Sequence, residues 1–169
     1  GLVNEYDGDC TVLRDGQRVS IPCLSELESI EFPAPVGQAE AFITGGGIST
    51  LPWTYEGRVQ TMHNKTVRYP GHCQAFASFR TLGLFSEMPV EVRGTQVIPR
   101  QIFFRLLEPL ISFPEDPWDL TVMRTRCTGE KDGRPATVTF ELMQTYDPHT
   151  GFSAMEQTTG YPAALAATL

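Results

Sequence analysis

The sequence predicts an α+β fold with largely antiparallel strand pairing. Three observations predict it. Asp15-Gly16 stands between Cys10–Leu13 and Arg18–Ile21, and Asp132-Gly133 between two alternating apolar stretches, both being hairpin signals. Two segments, 72–82 and the one opening at Pro99, carry apolar residues at helical spacing. The chain has 169 residues, 41% hydrophobic and 20% charged, which is ordinary globular composition with enough length for a core.

Taken in order, residues 2–7 read as a short helix or the end of one. The first hairpin follows, its Gly16 supplying a positive φ. Residues 24–37 read as irregular, broken by Pro33 and Pro35. Glu40-Ala41-Phe42-Ile43-Thr44 reads as a strand entering Gly45-Gly46-Gly47, and 49–55 as a short helix carrying Pro52. Lys65–Tyr69 is extended. In the helix over 72–82, Cys73, Phe76, Ala77 and Phe79 form the apolar side, and Gly83 suits the C-terminal position. Pro99 suits a first helical position, and Ile102, Phe103, Leu106, Leu107 and Leu110 predict a core-facing helix. Strands over 120–124 and 137–142 flank the turn at Lys131–Arg134. Val138, Phe140 and Leu142 share a face, so one side of that sheet is expected to be buried. The Ala-rich residues 152–169 are expected to be helical, with Pro162 opening the last helix.

Net charge is −7 without long runs, which disfavours nonspecific nucleic-acid binding. No apolar run approaches the roughly 18–20 residues of a membrane span. No signal peptide is visible, and the chain begins without Met, so it reads as a piece of a longer protein. Cys10, Cys23, Cys73 and Cys127 lack metal-ligand spacing. They read as structural thiols of a reducing cytosol, with two disulfides left open.

The candidate chemistry centres on Thr66-Val67-Arg68-Tyr69-Pro70-Gly71-His72, an extended-to-helix corner. A cation stands there beside the amides of a helix N-terminus, a suitable receptor for a carboxylate. Arg68 reads either as a bidentate carboxylate clamp or as a surface salt bridge. His72 reads as a general acid/base, a helix-capping donor or a structural residue, while His63 and His149 are expected to be solvated. Gly45-Gly46-Gly47-Ile48-Ser49-Thr50 lacks both the third fingerprint glycine and the Walker lysine. It is either a loop whose amides approach a small ligand or a plain tight turn. There is no Gly-x-Ser-x-Gly elbow, no cysteine in a nucleophile context and no pair of catalytic carboxylates. Glu115 and Asp116, between Pro114 and Pro117, read as a solvated turn, and Phe103, Phe104 and Trp118 as core or interface.

Four blocks resemble the saccharopine dehydrogenase family, close to its lysine 6-dehydrogenase-like members. They are Gly1-Leu2-Val3-Asn4-Glu5-Tyr6 with Val12–Gly16; Glu40–Thr44 through Ser49-Thr50-Leu51; Lys65–His72 with Leu82-Gly83-Leu84-Phe85; and Thr158-Thr159-Gly160-Tyr161-Pro162-Ala163-Ala164. The resemblance implies a mixed, largely antiparallel sheet with helices on one face, like the C-terminal domain of glyceraldehyde-3-phosphate dehydrogenase-type oxidoreductases. It implies that residues 1–150 form a substrate-binding and dimerisation domain, incomplete at its N-terminus, and that 151–169 begin a return helix toward a Rossmann domain outside this chain. That Rossmann domain would bind NAD or NADP; this chain would bind no cofactor and no metal, and alone would be inactive. The implied partners are an amino-acid substrate, the protein's own Rossmann domain and a second copy in a cytoplasmic homodimer, with neither nucleic acid nor membrane. The implied activity is an oxidoreductase acting on the CH–NH bond of a lysine-like amino acid. By position, Arg68, His72, Gly46, Gly47, Thr50 and Tyr6 become candidates for the substrate cleft, with Gly45 and Asn4 beside them; the catalytic residues are not identified. Family members often carry Arg shortly after the opening helix, where this chain has Asp7 and Gly8, which leaves the substrate open. The alternative is a non-enzymatic binding or assembly module that keeps the fold.

Overall fold

A computed structural model describes residues 2–111 and 118–169, so the expected turn at Glu115 and Asp116 lies outside the described residues. The chain divides into two compact units, Gly1–Leu110 and Ile111–Leu169.

The first unit begins with α1 (Leu2–Tyr6), β1 (Asp9–Arg14) and β2 (Gln17–Pro22). The hairpin is the predicted one: Arg14 pairs with Gln17, and Asp15 (φ 51°) and Gly16 (φ 76°) are both left-handed, as a two-residue primed turn requires. A three-stranded sheet follows, with β4 (Gly37–Ile43) between β3 (Glu28–Phe32) and β5 (Lys65–Arg68). β3 corrects the irregular reading of 24–37. Pro33 and Pro35 lie in the turn after Phe32 and interrupt no ladder bond. The central strand places Glu40 opposite Arg68.

The short helix α2 (Leu51–Tyr55) falls within the predicted 49–55, and α3 (His72–Thr81) matches the predicted helix closely. A hairpin that the sequence reading missed comes next, β6 (Val90–Val92) and β7 (Thr95–Val97), turned by Arg93 (φ 52°) and Gly94 (φ 81°). Pro99 does open α4 (Pro99–Ile111).

The core of this unit is aromatic. Tyr6, Phe42, Phe76, Phe85 and Phe103 are buried with Val3, Leu24 and Cys73. Tyr6 meets Phe42 and Phe76 edge-on at centroid distances of 5.7 and 5.1 Å, the geometry aromatic quadrupoles favour. The predicted apolar side of α3 is realised: Cys73 and Phe76 are buried, and Ala77 and Phe79 pack against them. α4 is less completely buried than its spacing predicts. Phe103 and Leu107 meet the core, but Leu106 and Leu110 are 68% and 82% exposed and Ile102 is exposed too. Ile102 and Leu106 lie on a stripe turned away from the Phe103–Leu107 line, and Leu110 lies beyond the last core aromatic. Phe104 is also exposed, with the Arg100 guanidinium 5.5 Å from its centroid.

The second unit is a long ribbon, β8 (Leu120–Lys131) and β9 (Arg134–Thr145), followed by α5 (Ala154–Ala166). Asp132 (φ 53°) and Gly133 (φ 73°) make its turn, and the strands run well past the predicted 120–124 and 137–142. The expected burial of one face is not found. Val138 and Phe140 are 51% and 64% exposed, and only Leu142 is half-buried. The alternation is real, but two strands by themselves leave both faces available to water. Pro162 lies inside α5 rather than opening it. The helix starts at a capping box the reading overlooked: Ser153 Oγ accepts from the Glu156 amide (3.1 Å), and Glu156 Oε2 accepts from the Ser153 amide (2.8 Å). Trp118 is exposed.

The α+β class is as predicted. Every strand pairing among the described residues is antiparallel and the strands form four small sheets, so the antiparallel character goes further than the mixed sheet the resemblance implies. No helix among the described residues is long and apolar enough to cross a membrane.

Candidate functional site

The corner between β5 and α3 forms because Gly71 adopts φ 95°, which lets the chain turn from the extended Arg68 into a helix beginning at His72. Tyr6, the last residue of α1, reaches this corner from the other side. Its phenol oxygen accepts a hydrogen bond from Arg68 Nε (3.1 Å) and lies 3.0 Å from His72 Nε2. The His72 ring stacks on Phe76 at 4.4 Å. Arg68, His72 and Tyr6 are thus brought together at one oxygen atom.

Electrostatics bear on the charge states of the two rings. Burial pushes the His72 imidazolium below the ordinary histidine range and the Arg68 cation reinforces this, with Glu40 opposing. Burial raises the Tyr6 phenol, with Arg68 opposing. Both rings are therefore neutral near pH 7. The phenol oxygen accepts from Arg68 Nε–H and keeps its own O–H and a second lone pair, so its 3.0 Å contact with His72 Nε2 is a hydrogen bond whose donor is set by the imidazole tautomer.

Arg68 also donates from Nη1 to the Val67 carbonyl (2.9 Å). Among the described residues it makes no salt bridge, whereas Arg14, Arg18 and Arg100 pair with Glu26, Glu56 and Glu87. The salt-bridge reading of Arg68 is therefore not realised among those residues, and its Nη2 has no hydrogen-bond partner there.

The backbone half of the predicted anion receptor is corrected. Glu40, only 7% exposed, extends its carboxylate to the start of α3: Oε2 accepts from the Gly71 amide (2.9 Å) and Oε1 from the Cys73 amide (2.5 Å). The helix terminus is complemented by the protein's own anion, so these amides are not available to a ligand. Sequence reasoning missed Glu40. Its signal is an acidic residue within the otherwise apolar run Ala39–Ile43, which a buried strand tolerates only when the carboxylate is partnered.

The glycine loop lies apart from this cluster. Gly45, Gly46 and Gly47 line a cleft of about 190 Å³ with Cys10, Trp53 and Asn64; Arg68, His72, Tyr6 and Thr50 are not among its lining. The Gly45 amide is already donated to the Glu5 carbonyl (2.8 Å). A Cβ on Gly47 would come 2.1 Å from the Asn64 side-chain nitrogen, so close packing against Asn64 accounts for that glycine. Thr50 is exposed ahead of α2, its carbonyl accepting from the Trp53 and Thr54 amides. Asn4 is exposed, with its side-chain oxygen on Arg100.

All four cysteines are free; Cys23 and Cys73 are buried, and burial pushes their thiols up. Among the described residues no set of three His, Cys, Asp or Glu side chains is placed to hold a metal.

The model of the saccharopine dehydrogenase C-terminal domain matches residues 1–169. Among solved structures, the chain is similar to apo histidine-tagged saccharopine dehydrogenase (L-Glu forming) from Saccharomyces cerevisiae, with a TM-score of 0.70 and 15% identity. The match covers 99% of this chain and 51% of that one, so the chain spans about half the length of the yeast protein. At that identity the likeness is one of fold. On the whole-length match to the family model, the chain belongs to the saccharopine dehydrogenase C-terminal domain family.

Proposed function

We propose that this chain is the substrate-binding domain of an NAD(P)-dependent oxidoreductase acting on the CH–NH bond of a lysine-like amino acid. The observation that carries the reading is Arg68, an arginine held at a structured corner with no ion-pair partner among the described residues. A planar cation in that state suits a carboxylate, and every amino-acid substrate supplies one. Family membership and the named activity of the similar yeast protein support the reaction class. Arg68 takes the substrate carboxylate, and His72, neutral at physiological pH, borders it.

The glycine loop does not fit a nicotinamide dinucleotide. It lacks the third fingerprint glycine and leads into a five-residue helix. We therefore assign NAD or NADP to a Rossmann domain outside this chain, and the complete enzyme to a cytoplasmic homodimer. In such enzymes the protein supplies orientation and electrostatics, and the cofactor accepts the hydride. Arg68→Ala in the complete protein removes charge-assisted bonds of about 1.5–3 kcal/mol, a rise of roughly 10–100-fold in KM for the amino acid. KM for the cofactor is expected to stay constant. An unchanged amino-acid KM, measured by steady-state kinetics, rules the reading out.

A further inference from the structure

We propose that Tyr6 is a positioning residue that sets the plane of the Arg68 guanidinium before the substrate arrives. The proposal rests on the reading of Arg68 as the carboxylate clamp. The Tyr6 side chain is fully buried, so it reaches no ligand itself. Its oxygen is nevertheless the atom on which Arg68 Nε rests. Because a guanidinium is planar, fixing Nε on the phenol and Nη1 on the Val67 carbonyl fixes the whole group. The remaining N–H groups of Nη1 and Nη2 then keep one direction.

The phenol can do this because it is itself immobilised. Its ring is held edge-on by Phe42 and Phe76. Its oxygen is tied to His72 Nε2 at 3.0 Å, and in either direction of that bond a lone pair remains for Arg68. A long, flexible arginine would otherwise lose its freedom only on binding, at the expense of affinity. The order of control runs from the aromatic core to Tyr6 and from Tyr6 to Arg68.

Tyr6→Phe keeps the ring and deletes the oxygen. In the complete enzyme it is expected to raise the amino-acid KM about tenfold, with kcat and the cofactor KM changed less than about twofold. In an Arg68→Ala background the same change is expected to add nothing, a non-additivity that mere loss of packing would not give. If Arg68→Ala raises KM but Tyr6→Phe leaves it at the wild-type value, or raises it equally in both backgrounds, the positioning role is overturned while the Arg68 reading stands. If Arg68→Ala has no effect, both fall. Should Tyr6→Phe not fold, exchange of the Arg68 Nε–H in the unsubstituted protein, read by NMR, carries the test. A proton held on the phenol is expected to exchange at least about tenfold more slowly than that of a free arginine, and exchange at the free rate overturns the proposal.

Discussion

In the first unit the buried hub is aromatic, built on Tyr6, Phe42, Phe76 and Phe103; in the second it is polar, built on Gln157. Gln157 Nε2 donates to the carbonyls of Thr145 and Phe152, and its Oε1 accepts from Gln144 Nε2. Asp119 adds a second tie, its carboxylate accepting from the Ala154 and Met155 amides at the start of α5. Among the described residues of the second unit only Ala154 and Gln157 are buried, while large apolar side chains on the ribbon remain exposed. One unit is thus held by apolar area removed from water, and the other by ladder bonds and caps. The candidate site belongs to the first kind of structure, and its polar atoms are aimed by packed rings.

The sharpest way to break this contrast is Phe42→Ala, which hollows the hub under Tyr6. Such truncations cost about 3–5 kcal/mol, and urea unfolding with hydrogen exchange read at β4 and α3 should show the loss confined to the first unit. Equal loss of protection in the ribbon would mean that the units share one stability. A smaller effect is expected for Glu40→Ala, which strands the Gly71 and Cys73 amides. About 1–3 kcal/mol should be lost, with the first turn of α3 exchanging fastest. Smallest is Phe140→Thr on the ribbon. Both residues suit a strand and the site is exposed, so a change within about 0.5 kcal/mol is expected by the same urea titration. A loss of several kcal/mol would show that this face is covered in the protein as it exists.

The parts of this architecture legible in the sequence are those set by local chemistry. Asp15-Gly16 and Asp132-Gly133 demand left-handed pairs, and both hairpins turn there. Gly71 and Pro99 mark helix starts that the structure reproduces. The misreadings came where local signals conflicted. Pro33 and Pro35 concealed β3 beside them, and Pro162 drew attention from the Ser153–Glu156 box that begins α5. In the site, Arg68 and His72 were visible because their corner has a strong turn signature. Glu40 was not, because its role depends on β4 lying next to β5, a pairing between residues far apart in the chain. Burial of Val138 and Phe140 was inferred from alternation, but alternation says which residues share a face and not whether anything covers it.

The buried Glu40 carboxylate has an implication for how such a domain changes over evolutionary time. Since the start of α3 is neutralised from within, the backbone there contributes little to telling one anion from another. On the proposed reading of the corner, discrimination falls to side chains such as Arg68 and His72, which can be exchanged one at a time. If the corner binds substrate as proposed, preference would drift by point replacement there while the helix, its internal counter-charge and the fold beneath stay the same.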